Sequence, residues 1–302
     1  MKTIVIALGG NALIKPKQKG TIEDQMENLD KAMEHIVRLA RKYNIILTHG
    51  NGPQVGNLLL QEEAAKSVPK MPLYVCVAET QGQIGYMIQE VLYNRLHALG
   101  IRKPVVTLIT QVLVDPKDPA FRKPTKPIGP FYKSEKNLPK NWELAKTPFG
   151  YRRLVASPEP KKIIEENEIK KTYKEAIVIA CGGGGVPVVE RHGLKGIDAV
   201  IDKDLAAEKL AEIVDADMLV ILTDVPCVYL NYKTKSQKPI RKMNISEAEQ
   251  YLKSAQFPPG SMGPKIRAAV KFLQKGGKKA IITSFDMLEE SLKGRAGTMI
   301  ER

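Results

Sequence analysis

Four apolar segments of this chain each end in a turn of small residues. The turns are Gly9-Gly10-Asn11, Thr48-His49-Gly50-Asn51-Gly52-Pro53, Cys181-Gly182-Gly183-Gly184-Gly185 and Leu222-Thr223-Asp224. Strands that end in such turns, with helical segments between them, are typical of a parallel sheet whose carboxyl edge presents backbone N–H groups. Because these groups bind phosphate and carboxylate, the pattern predicts a site for an anionic small molecule.

Helical and strand-like segments alternate before and after the middle of the chain. Apolar residues recur at helical spacing from residue 24 to 43, and further helices are predicted at 54–66, 81–99, 203–213, 245–253 and 265–274. Strands are predicted at 45–48, 105–110, 176–181, 218–223 and 280–283. Asp202 and Ser246 are suited to cap two of the helices. The alternation predicts an α/β fold built from βαβ units.

The segment from about residue 115 to 160 has a different composition. It is rich in proline and carries the only tryptophan, Trp142. Proline at this density disfavours long helices and central strands, whereas aromatic residues such as Phe131, Tyr132 and Phe149 argue against disorder. We therefore predict a small lid-like subdomain with little regular structure. A segment that contacts a second copy of the chain is the alternative.

Composition excludes several classes of protein. At 302 residues the chain suits one large α/β domain or two joined domains. It has no run of about 18 apolar residues, and the first strand begins close to Met1, so we predict a cytoplasmic protein without a membrane span. Its three cysteines show no metal or disulfide spacing. The net charge of +14 is spread along the chain and mixed with glutamates, which indicates a small anionic ligand rather than nucleic acid.

Two lysines lie at predicted helix starts, Lys203 and Lys265. The phosphate loop G-x-x-x-x-G-K-[ST] and the dinucleotide pattern G-x-G-x-x-G are both absent. A helix start offers free N–H groups and partial positive charge, so a lysine there reinforces an anion site. Phosphoryl transfer needs mainly this kind of charge neutralisation. Asp204 is then the carboxylate available to orient the lysines or a magnesium ion, and His49 is the histidine that we place near the site.

The sequence resembles the amino acid kinase family, and within it the carbamate kinases, over nearly its whole length. The segments that carry the resemblance are residues 7–13, 48–56, 81–86, 124–132, 152–158, 182–187, 200–207 and 260–265. Other branches of the family usually have a lysine two positions before the paired glycines, where this chain has Ala7. That difference points away from acetylglutamate, glutamate and nucleoside-monophosphate kinases. Lys203 would take the role of the lysine that is missing at position 7.

The resemblance implies a fold and assigns each substrate to one half of the chain. The fold would be a three-layer αβα sandwich with a mostly parallel central sheet of about eight strands and a protruding lid subdomain, all in a single domain that forms homodimers. Residues 1–175, including the protruding subdomain at about 115–160, would form the carbamate-binding half. Residues 176–302 would form the nucleotide-binding half.

The resemblance also implies roles for individual residues. The catalytic group would be Lys203, Lys265, Asp204 and Lys126, although Lys123 and Lys133 compete with Lys126 for the role of the lid lysine. The carbamate and phosphoryl site would be lined by Gly9, Gly10, Asn11, Gly50, Asn51 and Gly52. The nucleotide would be bound by Thr223, Asp224, Val225, Tyr229, Met262 and Gly263. No metal ligands are assigned.

The implied reaction is Mg²⁺-dependent, reversible phosphoryl transfer between ATP and carbamate, which gives ADP and carbamoyl phosphate. Two alternatives stay open. The chain could phosphorylate another small acid, as other members of the family do, or it could be a catalytically idle nucleotide-binding regulator on the same fold. The presence of both lysines and Asp204 argues against the idle regulator.

Overall fold

The computed structural model describes residues 1–15, 18–136, 138–147, 150–258 and 260–302, without the side chain of Asn11. Phe149, one of the aromatic residues on which the lid prediction rests, lies outside this part. The helices are α1 (Ile22–Val37), α2 (Gly52–Ala64), α3 (Leu73–Ala98), α4 (Glu166–Thr172), α5 (Lys203–Ile213), α6 (Ile245–Lys253), α7 (Met262–Gln274) and α8 (Leu288–Leu292).

Strands make up one large sheet and several small ones. They are β1 (Lys2–Leu8), β2 (Tyr43–His49), β3 (Val105–Thr107), β4 (Gln111–Leu113), β5 (Lys126–Tyr132), β6 (Glu143–Thr147), β7 (Gly150–Val155), β8 (Lys162–Ile163), β9 (Ile177–Ile179), β10 (Val186–Glu190), β11 (Leu194–Gly196), β12 (Met218–Leu222), β13 (Val228–Leu230), β14 (Lys238–Ile240), β15 (Lys242–Asn244), β16 (Lys279–Thr283) and β17 (Thr298–Glu301).

The central sheet has eight strands within the described residues, in the order β15-β17-β16-β12-β1-β2-β9-β3. Neighbours run parallel except at the β16–β17 pair. The predicted mostly parallel sheet of about eight strands is therefore confirmed. Strands β12, β1, β2 and β9 are adjacent and all parallel, so the four small-residue turns that follow them lie side by side at one edge of the sheet.

Both faces of this sheet are covered by helices, as the αβα prediction requires. On β1, the side chains of Ile4, Ile6 and Leu8 pack on one face together with apolar residues of α1 and α3. The alternate side chains, Val5 and Ala7, pack on the other face with residues of α5 and α7. A strand that is buried on both faces carries a continuous apolar sequence, which explains the run from residue 3 to 8.

The predicted helix bounds hold best in the second half of the chain. Helices α5 and α6 begin and end where predicted, and Asp202 caps α5 through its side chain. The predicted cap Ser246 is wrong, because Asn244 caps α6 in a capping box with Glu247. Helix α3 begins at Leu73, earlier than the predicted residue 81, directly after Pro72.

The prediction that the lid has little regular structure is wrong. Strands β5, β7 and β6 form an antiparallel sheet between residues 126 and 155, where little regular structure was expected. Pro127 and Pro130 lie in β5, which is an edge strand, and there a missing N–H costs no hydrogen bond on the open side. The lid packs closely on α2, since a Cβ on Gly56 would lie 2.0 Å from the Cα of Gly129.

The three cysteines, Cys76, Cys181 and Cys227, are free and buried. None of the helices in the described part of the chain is long and apolar enough to cross a membrane.

Candidate active site

The starts of α5 and α7 meet at the side chain of Asp204. Its Oδ1 accepts a hydrogen bond from Lys203 Nζ at 2.5 Å, and its Oδ2 accepts one from Lys265 Nζ at 2.9 Å. Because α5 and α7 are distant in sequence but packed against each other, the two predicted lysines converge on one carboxylate. The arrangement places two ammonium groups and one carboxylate together, with one positive charge in excess.

These three side chains are nearly inaccessible to solvent. The exposed fractions are 11% for Lys203, 13% for Lys265 and 4% for Asp204. Burial alone would raise the pKa of Asp204, but the two neighbouring ammonium groups hold that pKa well below its usual range. Burial also acts to lower the pKa of Lys265, and the Asp204 carboxylate outweighs it and raises that pKa. The carboxylate therefore stays ionised and keeps its partners in place.

Lys126 of the lid reaches the same helix start. Its Nζ lies 2.6 Å from Oδ2 of Asp202, the residue whose Oδ1 caps α5 by accepting from the N–H of Asp204. Of the three lid lysines considered in the sequence analysis, Lys126 is thus the one that the structure places at the start of α5.

The first two glycine turns follow the adjacent strands β1 and β2, and the second of them lies beside Lys203. A Cβ on Gly50 would be 3.5 Å from Cδ of Lys203, so the second turn borders the Lys203 side chain. A Cβ on Gly9 would be 2.7 Å from the carbonyl oxygen of Leu222, which shows how tightly the first turn packs on the end of β12. Gly10 faces open space. The second turn therefore borders Lys203, and the neighbouring first turn leaves open space at Gly10.

The turn that follows β9, Gly182–Gly184, packs against the second turn. A Cβ on Gly182 would lie 2.3 Å from Nε2 of His49, and one on Gly183 would lie 2.2 Å from Nδ2 of Asn51. The Asn51 side chain is buried and donates to Oγ1 of Thr80 on α3 at 2.9 Å. Thr80 was not among the predicted site residues, because nothing in the local sequence shows that α3 passes next to this turn.

His49 lies within this packing rather than facing solvent. Its Nδ1 is 3.0 Å from the carbonyl oxygen of Gly50, which fixes the ring against the turn. Burial, assisted by the nearby Lys203, lowers the pKa of His49 to about 4. The imidazole is therefore neutral at physiological pH, and we assign it to holding the turn in shape.

A cavity of about 190 Å³ opens on the other side of Lys265. Among its walls are five of the predicted nucleotide residues, namely Thr223, Asp224, Val225, Tyr229 and Met262. The sixth, Gly263, is buried in the first turn of α7 behind it. The remaining walls, which sequence reasoning did not identify, are Tyr232, Gln256, Phe257, Pro258 and Ser261. A cavity lined by tyrosine, phenylalanine and methionine side chains next to a lysine suits an aromatic base that carries a phosphate chain.

A model of the amino acid kinase family matches residues 2–284 of the sequence. The chain belongs to this family. The kinase is 50% identical to a carbamate kinase of Pyrococcus horikoshii, over 98% of each chain, and 47% identical to carbamate kinase 1 of Enterococcus faecium, over 95% of this chain and 94% of the relative.

Solved structures agree with the sequence comparison. The carbamate kinase of Giardia lamblia bound to AMP-PNP is 42% identical, with a TM-score of 0.91 over 99% of this chain and 98% of its own. The same enzyme bound to citric acid gives a TM-score of 0.93 at the same identity and coverage. The predicted resemblance to the carbamate kinases is confirmed, and the protein is a phosphotransferase.

Proposed function

We propose that this kinase transfers a phosphoryl group reversibly between ATP and carbamate, giving ADP and carbamoyl phosphate. The observation that carries the proposal is the bridge from Lys203 through Asp204 to Lys265. It stands between the glycine turns, on the side of Lys203, and the cavity, on the side of Lys265. A phosphoryl group in transit between two substrates would pass next to both ammonium groups.

Charge neutralisation is the main chemical task of such a site. The transferred group carries negative charge on its equatorial oxygens, and it needs fixed donors more than covalent help. A unit charge pair at 4 Å is worth about 4 kcal/mol at an effective dielectric of about 20, so two buried lysines supply a substantial stabilisation. Asp204 fixes both lysines before substrate arrives, which avoids reorganisation during the reaction.

The acceptor would lie against the first two turns, in the half formed by residues 1–175. Backbone N–H groups of Gly9, Gly10, Asn11, Gly50, Asn51 and Gly52 are the donors that we assign to carbamate and to the phosphoryl group. Because the side-chain amide of Asn51 is occupied by Thr80, the second turn contributes mainly its backbone. The carbamate oxygen is already ionised, so no general base is needed, and the neutral His49 is not required as one.

The nucleotide would occupy the cavity beside α7, in the half formed by residues 176–302. Tyr229 and Met262 in its walls offer apolar surface for the base. Lys265 in the same wall would meet the phosphates, with Gly263 beside them at the start of α7, where its N–H donates to the carbonyl oxygen of Pro258 at 3.0 Å.

Mg²⁺ would enter with the nucleotide phosphates. Among the described residues, no group of three or more histidine, cysteine or acidic side chains is arranged to hold a metal ion. Asp202 and Asp204 each accept a hydrogen bond from a lysine, and Asp224 lies in the cavity wall, where its negative charge contributes to raising the pKa of Lys265. These residues fit a magnesium ion that is held largely by phosphate, with Asp224 as a protein carboxylate near it, and the ion would neutralise phosphate charge.

We further propose a homodimer formed through α3 and the neighbouring sheet edge. Tyr86 and Tyr93, one heptad apart on α3, are 63% and 65% exposed, and Ile109 beyond the edge strand β3 is 48% exposed. Exposed apolar surface beside an open strand edge is a common protein interface.

Sedimentation velocity at micromolar concentration tests the proposed homodimer directly. We expect a species of twice the monomer mass, and a single species of monomer mass would contradict the proposal.

A substrate panel tests the function itself. Purified protein is incubated with ATP and Mg²⁺ plus ammonia and bicarbonate, acetylglutamate, glutamate or UMP, and ADP formation is measured. We expect ADP only with ammonia and bicarbonate, ATP formation from carbamoyl phosphate and ADP, and loss of both when Mg²⁺ is chelated. Turnover of another acceptor in preference to carbamate would show a different acid kinase, and no turnover in either direction would show an idle regulator.

The two lysines are tested by single substitutions. Lys203→Ala and Lys265→Ala should each lower turnover about 10²-fold to 10³-fold, the range found when one donor to a developing charge is removed. Lys209→Ala is the matched control, because Lys209 lies on the same helix α5 and pairs with Glu212 away from the site. Circular dichroism would show that all three variants are folded. Turnover near the wild-type value in both site variants refutes the assigned role.

A further inference from the structure

The contact between Lys126 and Asp202 joins the lid to the start of helix α5. Lys126 is the first residue of β5, where it pairs with Val155 at the base of the lid sheet. Its ammonium group crosses to the start of α5 and lies 2.6 Å from Asp202. Exposure of the two side chains is limited to 27% and 15%. A long-range ion pair in such surroundings is screened little by solvent and restricts where the ammonium group can go.

Asp202 uses its two carboxylate oxygens for different tasks. Oδ1 accepts from the N–H of Asp204 and caps α5, whereas Oδ2 receives Lys126. The backbone before Asp202 is fixed, because Val200 and Ile201 are fully buried in separate clusters of the core. The carboxylate is therefore held rigidly, and it is adjacent in sequence to the Lys203–Asp204 pair.

Helix capping alone does not account for a carboxylate at this position. Asparagine and serine cap helices about as well as aspartate does. A charged group is needed only for the second task, since an amide oxygen accepts a hydrogen bond from Lys126 but does not neutralise it. Lysine also has a flexible four-carbon side chain, which loses conformational entropy when it binds substrate. Because the ion pair with Asp202 already restricts the Lys126 side chain, less entropy is lost when substrate binds.

We infer that Asp202 is a positioning residue that holds Lys126 of the lid over the phosphoryl site, as Asp204 holds Lys203 and Lys265. The inference rests on the proposed function, since it assumes that Lys126 contacts the transferred group. Lysine has three N–H donors, so Lys126 can keep Asp202 as a partner while it donates to a phosphoryl oxygen. Three lysines and two aspartates then form one network with a single excess positive charge.

The kinetic test compares Asp202→Asn with Asp115→Asn. Asp202→Asn keeps an oxygen for the cap and removes the charge that faces Lys126. Asp115→Asn removes the same charge from another lysine–aspartate pair, between Asp115 and Lys161 at the base of the lid segment. We expect Asp202→Asn to lower kcat/KM for carbamoyl phosphate at least 10-fold with an unchanged KM for ADP. Asp115→Asn should match wild type.

Coupling to the lysine separates positioning from a general loss of structure. If Asp202 acts through Lys126, then Asp202→Asn added to Lys126→Met should lower kcat/KM less than twofold beyond Lys126→Met alone. Full multiplication of the two effects would overturn the inference. So would wild-type kinetics in Asp202→Asn, or a lower KM for carbamoyl phosphate, since a lower KM would show that the contact competes with substrate.

Fluorescence of Trp142 gives a readout that does not depend on activity. Trp142 is the only tryptophan and lies in the lid, with the Arg153 guanidinium 4.3 Å from its ring centroid. We expect acrylamide to quench Trp142 more strongly in substrate-free Asp202→Asn than in wild type or Asp115→Asn, because the lid has lost an anchor. Equal quenching in all three would contradict the anchor. An inactive wild-type protein would instead refute the proposed function, while this measurement would still report on the contact.

Discussion

The active arrangement depends on one carboxylate shared by two ammonium groups. Removing one partner from a buried ion pair leaves an uncompensated charge and costs about 3–5 kcal/mol, so Asp204, Lys203 and Lys265 require one another. They also require helices α5 and α7 to stay aligned. At the far end of the same helices, Lys275 Nζ lies 2.6 Å from Glu212 and 3.1 Å from Glu208. The pair of helices is thus joined at both ends, with the amino end of α5 beside the turn at Gly50 and the amino end of α7 in the wall of the cavity.

The sheet explains why these turns are made of glycine. Four adjacent parallel strands bring their carboxyl ends within one small area, and the turns that follow must pack on one another. Gly182 and Gly183 have no room for a Cβ beneath His49 and Asn51, and Gly183 in addition has a φ of 64°, which favours glycine. Glycine at this edge of the sheet therefore allows the turns to pack closely on one another. The same packing leaves exposed the backbone N–H groups that we assign to substrate.

Local sequence patterns predicted the parts of the site that depend on local geometry. Helix α5, its cap Asp202 and the lysine at its start followed from periodicity and capping rules, and Asn244 with Glu247 three residues later was a signal that would have corrected the cap of α6. The contact between Lys126 and Asp202 spans 76 residues, and Lys126 was named from family resemblance alone. The walls of the cavity at Tyr232 and Phe257 likewise depend on tertiary packing, and no local rule marks them.

The pH dependence of turnover in Asp204→Asn tests the role of the shared carboxylate most directly. The control is Asp30→Asn, which removes an exposed partner of Arg95. Without the carboxylate, the buried lysines lose the partner that favours their charged form, so their pKa values fall. We expect Asp204→Asn to lower turnover at least 100-fold and to move the alkaline loss of activity to lower pH. Turnover within a few-fold of wild type and an unchanged alkaline limit would contradict this role.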